Sequence, residues 1–404
     1  MLLRSSIAPP STSHRGPGCR GALLRAIETI RDRGNENRDG AGDVMAIGSR
    51  VLEQTRCTCG LAAAGAREYM RRVIAFICWF TGLTRLVFGL RRKRIRFLAY
   101  HRIGDRQADF LPYQLSCGGP RFQQHITMLG SLGRVVPISN VTGNMAVRRA
   151  SEHNGFVIMF DDGFKDNLAA VDIAARNGAS VCVALTTDLI GAQCLIPLHT
   201  FYYLHWKLGA RAVLAATNEQ AGIPEGSLDR ADAVTARAMV EHAIGDQIGS
   251  APAQRVVAKL EKQCEDSSHQ YAAWAQRLYL TWDDVRLMIS RGACIAAHSC
   301  SHRRLSALDR KEIEREVTTC KRIIEHETGI GVNAFVYPFG ERTSVHADAD
   351  DVLLRSGFSM AFTAERTWLD GGPNAFAIPR LVVGNWPAWR LAFELLFTDG
   401  IDIT

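Results

Sequence analysis

No cysteine framework, internal repeat or secretory leader organises this sequence, and each absence removes a class of protein. The 11 cysteines are odd in number and scattered. Several, such as Cys182 and Cys294, lie in apolar runs. They read as reduced, buried thiols rather than as the disulfide scaffold of a small secreted domain. Cys57-x-Cys59 is too isolated to predict a zinc site. No repeat is visible, so nothing suggests a solenoid or propeller. Residues 1–60 are rich in Arg, Gly and Ser and lack the pattern of a standard signal peptide. The stretch 1–70 is therefore expected to be a disordered basic extension. The expected location is cytoplasmic, or peripheral at the inner membrane.

A clean membrane span is missing as well. Val73–Leu90 is 18 residues long and mostly apolar, but Arg85 interrupts it. An arginine at mid-bilayer costs roughly 3 kcal/mol on insertion scales. Arg71, Arg72 and the run Arg91 to Arg94 flank the segment. An interfacial helix over 71–95 fits better, with Phe76, Trp79, Phe80, Leu83 and Phe88 available to lipid. The alternative is an amphipathic helix docked on the main body. The net charge of +7 belongs to this end of the chain. Residues 1–96 hold 18 Lys+Arg against 7 Asp+Glu, a local +11, and the rest nets −4. No basic nucleic-acid groove is expected in the main body.

What remains is ample for one large domain. The hydrophobic fraction of 47% over 404 residues is that of a globular protein. From Arg96 onward, short apolar runs alternate with helical patterns. Arg96–His101, Phe156–Phe160, Val181–Thr186, Cys294–Ala297, Ala334–Tyr337 and Ala361–Thr363 read as strands. Phe122–Leu132, Phe164–Asn177, Trp282–Arg291, Asp309–Thr328 and Asp348–Ser356 read as helices. This β-α-β rhythm predicts an α/β parallel sheet or barrel. Residues 191–280 break the rhythm, with helical patterns at Phe201–Leu214 and Val234–Ile244. They read as a helical insertion between strands.

Four of the apolar runs end on polar or turn residues: FLAYH at His101, FVIMFDDG at Asp161-Asp162, CIAAHSCSH at His298 and His302, and AFVYPFG at Phe339. Parallel α/β folds gather their chemistry at carboxyl strand ends, so these residues can meet in space. One aspartate and two imidazoles form a common metal site with room for water. The second aspartate is left to act as a base. Each piece has a plainer alternative. Asp161-Asp162 can be an N-cap pair for Phe164–Asn177. A His-x3-His pair is frequent by chance. A lone His101 is more often structural, and Pro338-Phe339-Gly340 is a turn by default, although that turn can also present a backbone N–H to an oxyanion. If the aspartates leave the strand in extended geometry, their side chains diverge and only one can be a ligand.

Taken in order, YHRIGD, FDDGFKDN, TWDDV, HSCSHRRL, YPFG and IPR resemble the polysaccharide deacetylases of the NodB-homology family, carbohydrate esterase family 4, over roughly Arg96 to Phe397. The resemblance implies a distorted (β/α) barrel over 96–397, carrying the 191–280 insertion, that removes N-acetyl groups with a divalent metal such as Zn²⁺. It implies Asp161 as catalytic base, Asp162, His298 and His302 as metal ligands, and Phe339 as oxyanion donor. His101 resembles the catalytic histidine of a permuted branch, in which that residue comes first. Poly-N-acetylglucosamine and chitooligosaccharide deacetylases are the implied relatives, and an N-acetylated glycan the implied partner. The chain departs from the pattern in three places. Met159 replaces a threonine, and no Asp-x-x-Asp-Trp segment is present to partner His101. Val336 stands where an arginine commonly orients the catalytic aspartate, and Arg380 is a candidate replacement by position. The alternative function is a catalytically degenerate barrel that binds polysaccharide.

Overall fold

The computed structural model describes residues 69–91, 93–104, 109–112, 116–142, 154–217, 251–264, 267–346, 348–368 and 373–402. Residues 1–68 of the expected disordered extension, Cys57, Cys59 and the Val234–Ile244 helix fall outside these residues, whereas Tyr69 and Met70 open a helix.

Seven parallel strands form the main path of a nine-stranded sheet, with Arg134–Val135 and the antiparallel Ile401–Asp402 added beside it. The seven are β1 (Arg94–Tyr100), β2 (Gly155–Phe160), β3 (Val181–Leu185), β4 (Cys294–Ala297), β5 (Ala334–Val336), β6 (Met360–Phe362) and β7 (Arg380–Val382). Their order in space is β7-β1-β2-β3-β4-β5-β6. A parallel bridge between Phe362 and Ile378 joins the last strand back toward the first. The result is a nearly closed, distorted (β/α) barrel, as the β-α-β rhythm implies.

Strand alternation explains why the runs are apolar throughout. Phe97, Val157, Met159, Cys182, Ala184, Ala296 and Val336 pack together in the barrel interior. Leu98, Phe156, Ile158, Val183, Ile295 and Phe335 face the outer helices. Both faces are covered, so no polar residue is wanted on either. Met159, the residue in the threonine's place, is fully buried interior packing.

The helices follow local signals. Gly119–Leu132 (α3) begins with Pro at its first turn. Trp282–Ser290 (α8) starts at a Thr281/Asp284 capping box; Arg310–Thr328 (α9) starts at an Asp309/Glu312 capping box and ends on left-handed Gly329. One helix starts later than the periodicity predicts. The pattern from Phe164 becomes helical only at Asn167–Arg176 (α4), because Gly163 to Asp166 form a turn. The N-cap is Asp166, not Asp161 or Asp162, so the capping alternative for that pair is removed. Parts of the insertion are helical: Pro197–Thr217 (α5), kinked at Gly209 (φ 78°), Ala251–Glu261 (α6) and Ser267–Leu278 (α7). Before the barrel come two helices rather than one, Tyr69–Phe80 (α1) and Leu83–Leu90 (α2), with a 79° bend between them. Gly82 at φ 76° sits at the break. Among the described residues, no single helix is long and apolar enough to cross a membrane.

Candidate active site

The barrel's alternation aims two side chains inward at the carboxyl strand ends. Phe160 faces the helices, so Asp161, the next residue, faces the barrel mouth. Arg380 lies opposite the interior residue Phe97 in register and shares its face. The two meet as a bidentate pair: Arg380 Nη1 and Nη2 donate to Asp161 Oδ1 and Oδ2 at 2.7 and 2.8 Å. Arg380 Nε donates to the Thr363 carbonyl at 2.9 Å, which fixes the plane of the fork. Burial opposes the charge on Asp161, but Arg380 outweighs it and holds the carboxyl below its ordinary range. Arg380 thus stands where Val336 leaves the expected arginine missing.

Asp162 takes a different direction, though not for the expected reason. It is not extended: its φ is 76°, in the left-handed region. This turn sends its carboxylate toward the loop after β4. There Ser299 (φ 64°) and His302 (φ 58°) are left-handed too, so His298 and His302 converge without any helical start. Asp162 Oδ1 lies 3.3 Å from His298 Nε2 and 3.2 Å from His302 Nε2. The three ligand atoms all lie within 4.8 Å of one another.

The donor set of this cluster could hold a metal ion. His298 Nδ1 is 2.8 Å from the Val336 carbonyl. A carbonyl only accepts, so Nδ1 carries the proton and the neutral ring turns the lone pair of Nε2 toward a carboxylate oxygen. Asp162 Oδ1 is buried without a hydrogen bond. Lone pairs facing an anion repel unless a proton or a metal ion lies between them. Burial depresses the basicity of His298, but Asp162 and Asp161 overcome it, and its pKa is raised. Burial likewise disfavours the Asp162 anion, yet the two imidazoles carry its pKa well below the ordinary value.

His101 follows β1, half-buried, near enough to both aspartates to favour their ionised forms. Its carbonyl accepts from Asn167 Nδ2 at 2.9 Å, while its ring makes no hydrogen bond among the described residues. The Phe339 ring is 5.0 Å from that of His302, and Phe339 itself has φ 64°. Its N–H has no acceptor among the described residues. Gly340 permits the turn: a Cβ there would come within 2.5 Å of the Ala364 nitrogen.

Two features of the site escape a reading by strand ends. Glu316, on the buried stripe of α9 with Ile313, Val317 and Cys320, clamps the histidine loop. It accepts from the N–H groups of Cys300 and Ser301, both at 2.9 Å, and from Ser301 Oγ at 2.7 Å. A charged residue on an apolar stripe is the signal that marks it. Glu316→Gln replaces one acceptor oxygen with a donor and should loosen the loop, weakening metal binding roughly 10–100-fold with little change in fold. Calorimetric titration of wild type and variant checks this, and equal affinities would contradict it. The second feature is His199 of α5. Burial lowers its pKa to about 3, so it is neutral. It stacks on Phe164, beside the aspartates, and bonds the Tyr279 hydroxyl at 2.6 Å. No strand-end rule points to it, because it comes from the insertion.

Residues 235–358 match the family model of polysaccharide deacetylase. That segment is similar to this family. The match contains His298, His302 and Phe339 and begins inside the insertion, beyond Asp161 and Asp162. No curated protein sequence matches this chain. Among solved structures it is similar to the Streptococcus pyogenes deacetylase PplD in complex with acetate, at 12% identity and TM-score 0.48, over 76% of this chain and 99% of that one. It is also similar to IcaB from Ammonifex degensii, at 14% identity and TM-score 0.46, over 75% and 97%. The BpsB deacetylase domain from Bordetella bronchiseptica follows at 14% identity and TM-score 0.40, over 73% and 97%.

Proposed function

We propose that this protein is a metal-dependent hydrolase that removes N-acetyl groups from oligo- or polysaccharides containing N-acetylglucosamine and releases acetate. One observation carries the reading: Asp162, His298 and His302 converge through three ligand atoms directly beside the Asp161–Arg380 pair. An N/N/O set of this kind suits Zn²⁺ or a similar divalent ion. Bound there, such an ion supplies Lewis acidity and lowers the pKa of water.

The chain's own residues do the rest. Asp161, held in one orientation by Arg380, takes a proton from water as its oxygen bonds to the amide carbon. The N–H of Phe339 donates to the developing oxyanion. His101 gives a proton to the sugar nitrogen as the C–N bond breaks. The products are acetate and a free amine. A binding-only barrel is the second reading. Its main support was the missing arginine, and the bidentate contact of Arg380 with Asp161 weakens it.

Chelation should abolish acetate release, and Asp162→Ala, His298→Ala and His302→Ala should each lose the bound metal. Full metal content in all three variants, measured by mass spectrometry of the purified proteins, would rule out this ligand set. The raised pKa of His298 adds a pH dependence. Below that pKa the metal must displace a proton, so apparent affinity should fall about tenfold per pH unit on acidification. A pH-independent affinity across the same range would count against His298 as ligand.

A further inference from the structure

We infer that the end of the barrel opposite the candidate active site docks onto an anionic phospholipid surface. The observations start with α2 and the end of α1. Their inner side is committed to the barrel: Ala75, Thr84 and Phe88 are buried, and Phe88 packs on Phe156. Their outer side is apolar as well. Phe76, Leu83 and Leu86 are exposed, Phe80 is 82% exposed and Leu90 79%. Half-exposed Phe397, from the chain's other end, belongs to the same end of the barrel, since it and Arg91 line one cavity. A helix apolar on both sides has more apolar surface than the barrel covers, and such an excess marks an interaction site.

Charge complementarity selects the occupant. A cavity of about 350 Å³ beside these residues is lined by Arg91, Arg94 and Arg96, with Phe397 and a single acid, Asp399. Asp399 pairs with Arg94 at 3.4 Å, and Arg96 donates to Asn154 and to the Thr398 carbonyl. A second cavity of about 220 Å³ on the other flank of α2 carries Arg85 and Lys93. Basic recesses alternating with outward Phe and Leu suit phosphate headgroups beside acyl chains. A protein partner needs no such interleaving of cation and lipid-length apolar side chains.

The fold then sets the orientation. β1 begins at Arg94, among the basic residues, and ends at Tyr100, one residue before His101. Seven extended residues separate the two ends by about 20 Å. A protein seated by α2 holds its catalytic mouth away from the bilayer, toward glycan in solution.

The test uses the full chain and vesicles of phosphatidylcholine, with and without phosphatidylglycerol. Flotation should recover protein with the anionic vesicles and little with the neutral ones. The triple variant Arg85→Gln, Arg91→Gln, Lys93→Gln should bind anionic vesicles roughly a hundredfold more weakly. The exposed pair Phe80→Ser, Leu90→Ser should also lose binding. Acetate release from a soluble glycan should be unchanged in both variants and on adding vesicles, which separates a failure here from a failure of the deacetylase reading. Equal binding to both lipids would overturn the inference. So would a full chain that floats only after residues 1–68 are removed, since that segment would then cover the face. A wild-type dimer that Phe80→Ser, Leu90→Ser makes monomeric, with no lipid binding in either, would assign the face to a second copy. A tenfold loss of activity on vesicles would overturn the orientation.

Discussion

Asp161→Asn should keep the metal and the fold and lose roughly 10²–10⁴ in kcat, the usual size of a general-base contribution. The neighbouring Asp162→Asn should lose metal affinity first and recover part of its activity at high metal concentration. The two residues differ because the backbone turns between them. Asp161 faces the barrel mouth and is held by Arg380 through both oxygens. Asp162, at φ 76°, presents Oδ1 to the two imidazoles. An amide at 161 removes the proton acceptor without touching a ligand. An amide at 162 removes the anionic ligand without touching the base. Metal titration of both variants, followed by acetate release, separates the roles. Rescue of Asp161→Asn by metal, with Asp162→Asn inactive although metal-loaded, would mean the assignments are exchanged.

Arg380→Met should be nearly as damaging, by another route. Removing one partner of a buried ion pair leaves an uncompensated charge, at a cost of about 3–5 kcal/mol. The carboxyl can escape that cost by taking a proton, since Arg380, ahead of His298 and His101, is the main influence that holds its pKa down against burial. The sign follows directly. In the wild type at saturating metal, the acid limb of kcat/KM belongs to a carboxyl that ionises below its ordinary range, so it lies at low pH. In Arg380→Met burial dominates, the pKa of Asp161 rises, and the acid limb moves to higher pH. At neutral pH kcat should fall roughly 10²-fold, part of the general-base contribution. Arg380→Lys keeps the charge but loses the two-pronged fit, so it should restore stability more than rate. A purely structural arginine predicts instead a lower melting temperature with an unmoved pH profile.

The barrel and most of the site were legible in the sequence because their signals are local. A run such as Phe156–Phe160 has two buried faces, and its first polar residue marks the strand end. The candidate ligands followed from what those ends carry. Features that depend on distant chain segments were harder to read. Strand β7 is three residues long, with Val382 outward and half-exposed, and shows no alternation from which to recognise it. Arg380 could be suspected only by position, since its partner lies 219 residues away. The left-handed turns at Asp162, Ser299 and His302 are invisible to periodicity, because none is glycine. Extended geometry was therefore the wrong ground for a divergence that does occur. Glu316 and His199 act through loops and an insertion that no strand-end rule reaches. The helix expected over 71–95 breaks at Gly82, with one side packed on the barrel and the other apolar and exposed.

The most direct measurement is acetate release from a panel of acetylated glycans by the full chain, metal-loaded and after chelation. Poly-N-acetylglucosamine, chitooligosaccharide and peptidoglycan belong in the panel. The account predicts release from at least one N-acetylglucosamine-containing glycan, its loss on chelation, and its return when Zn²⁺ or a similar divalent ion is restored. Undiminished release by the metal-free protein, or none from any glycan by protein carrying one metal per chain, would contradict it.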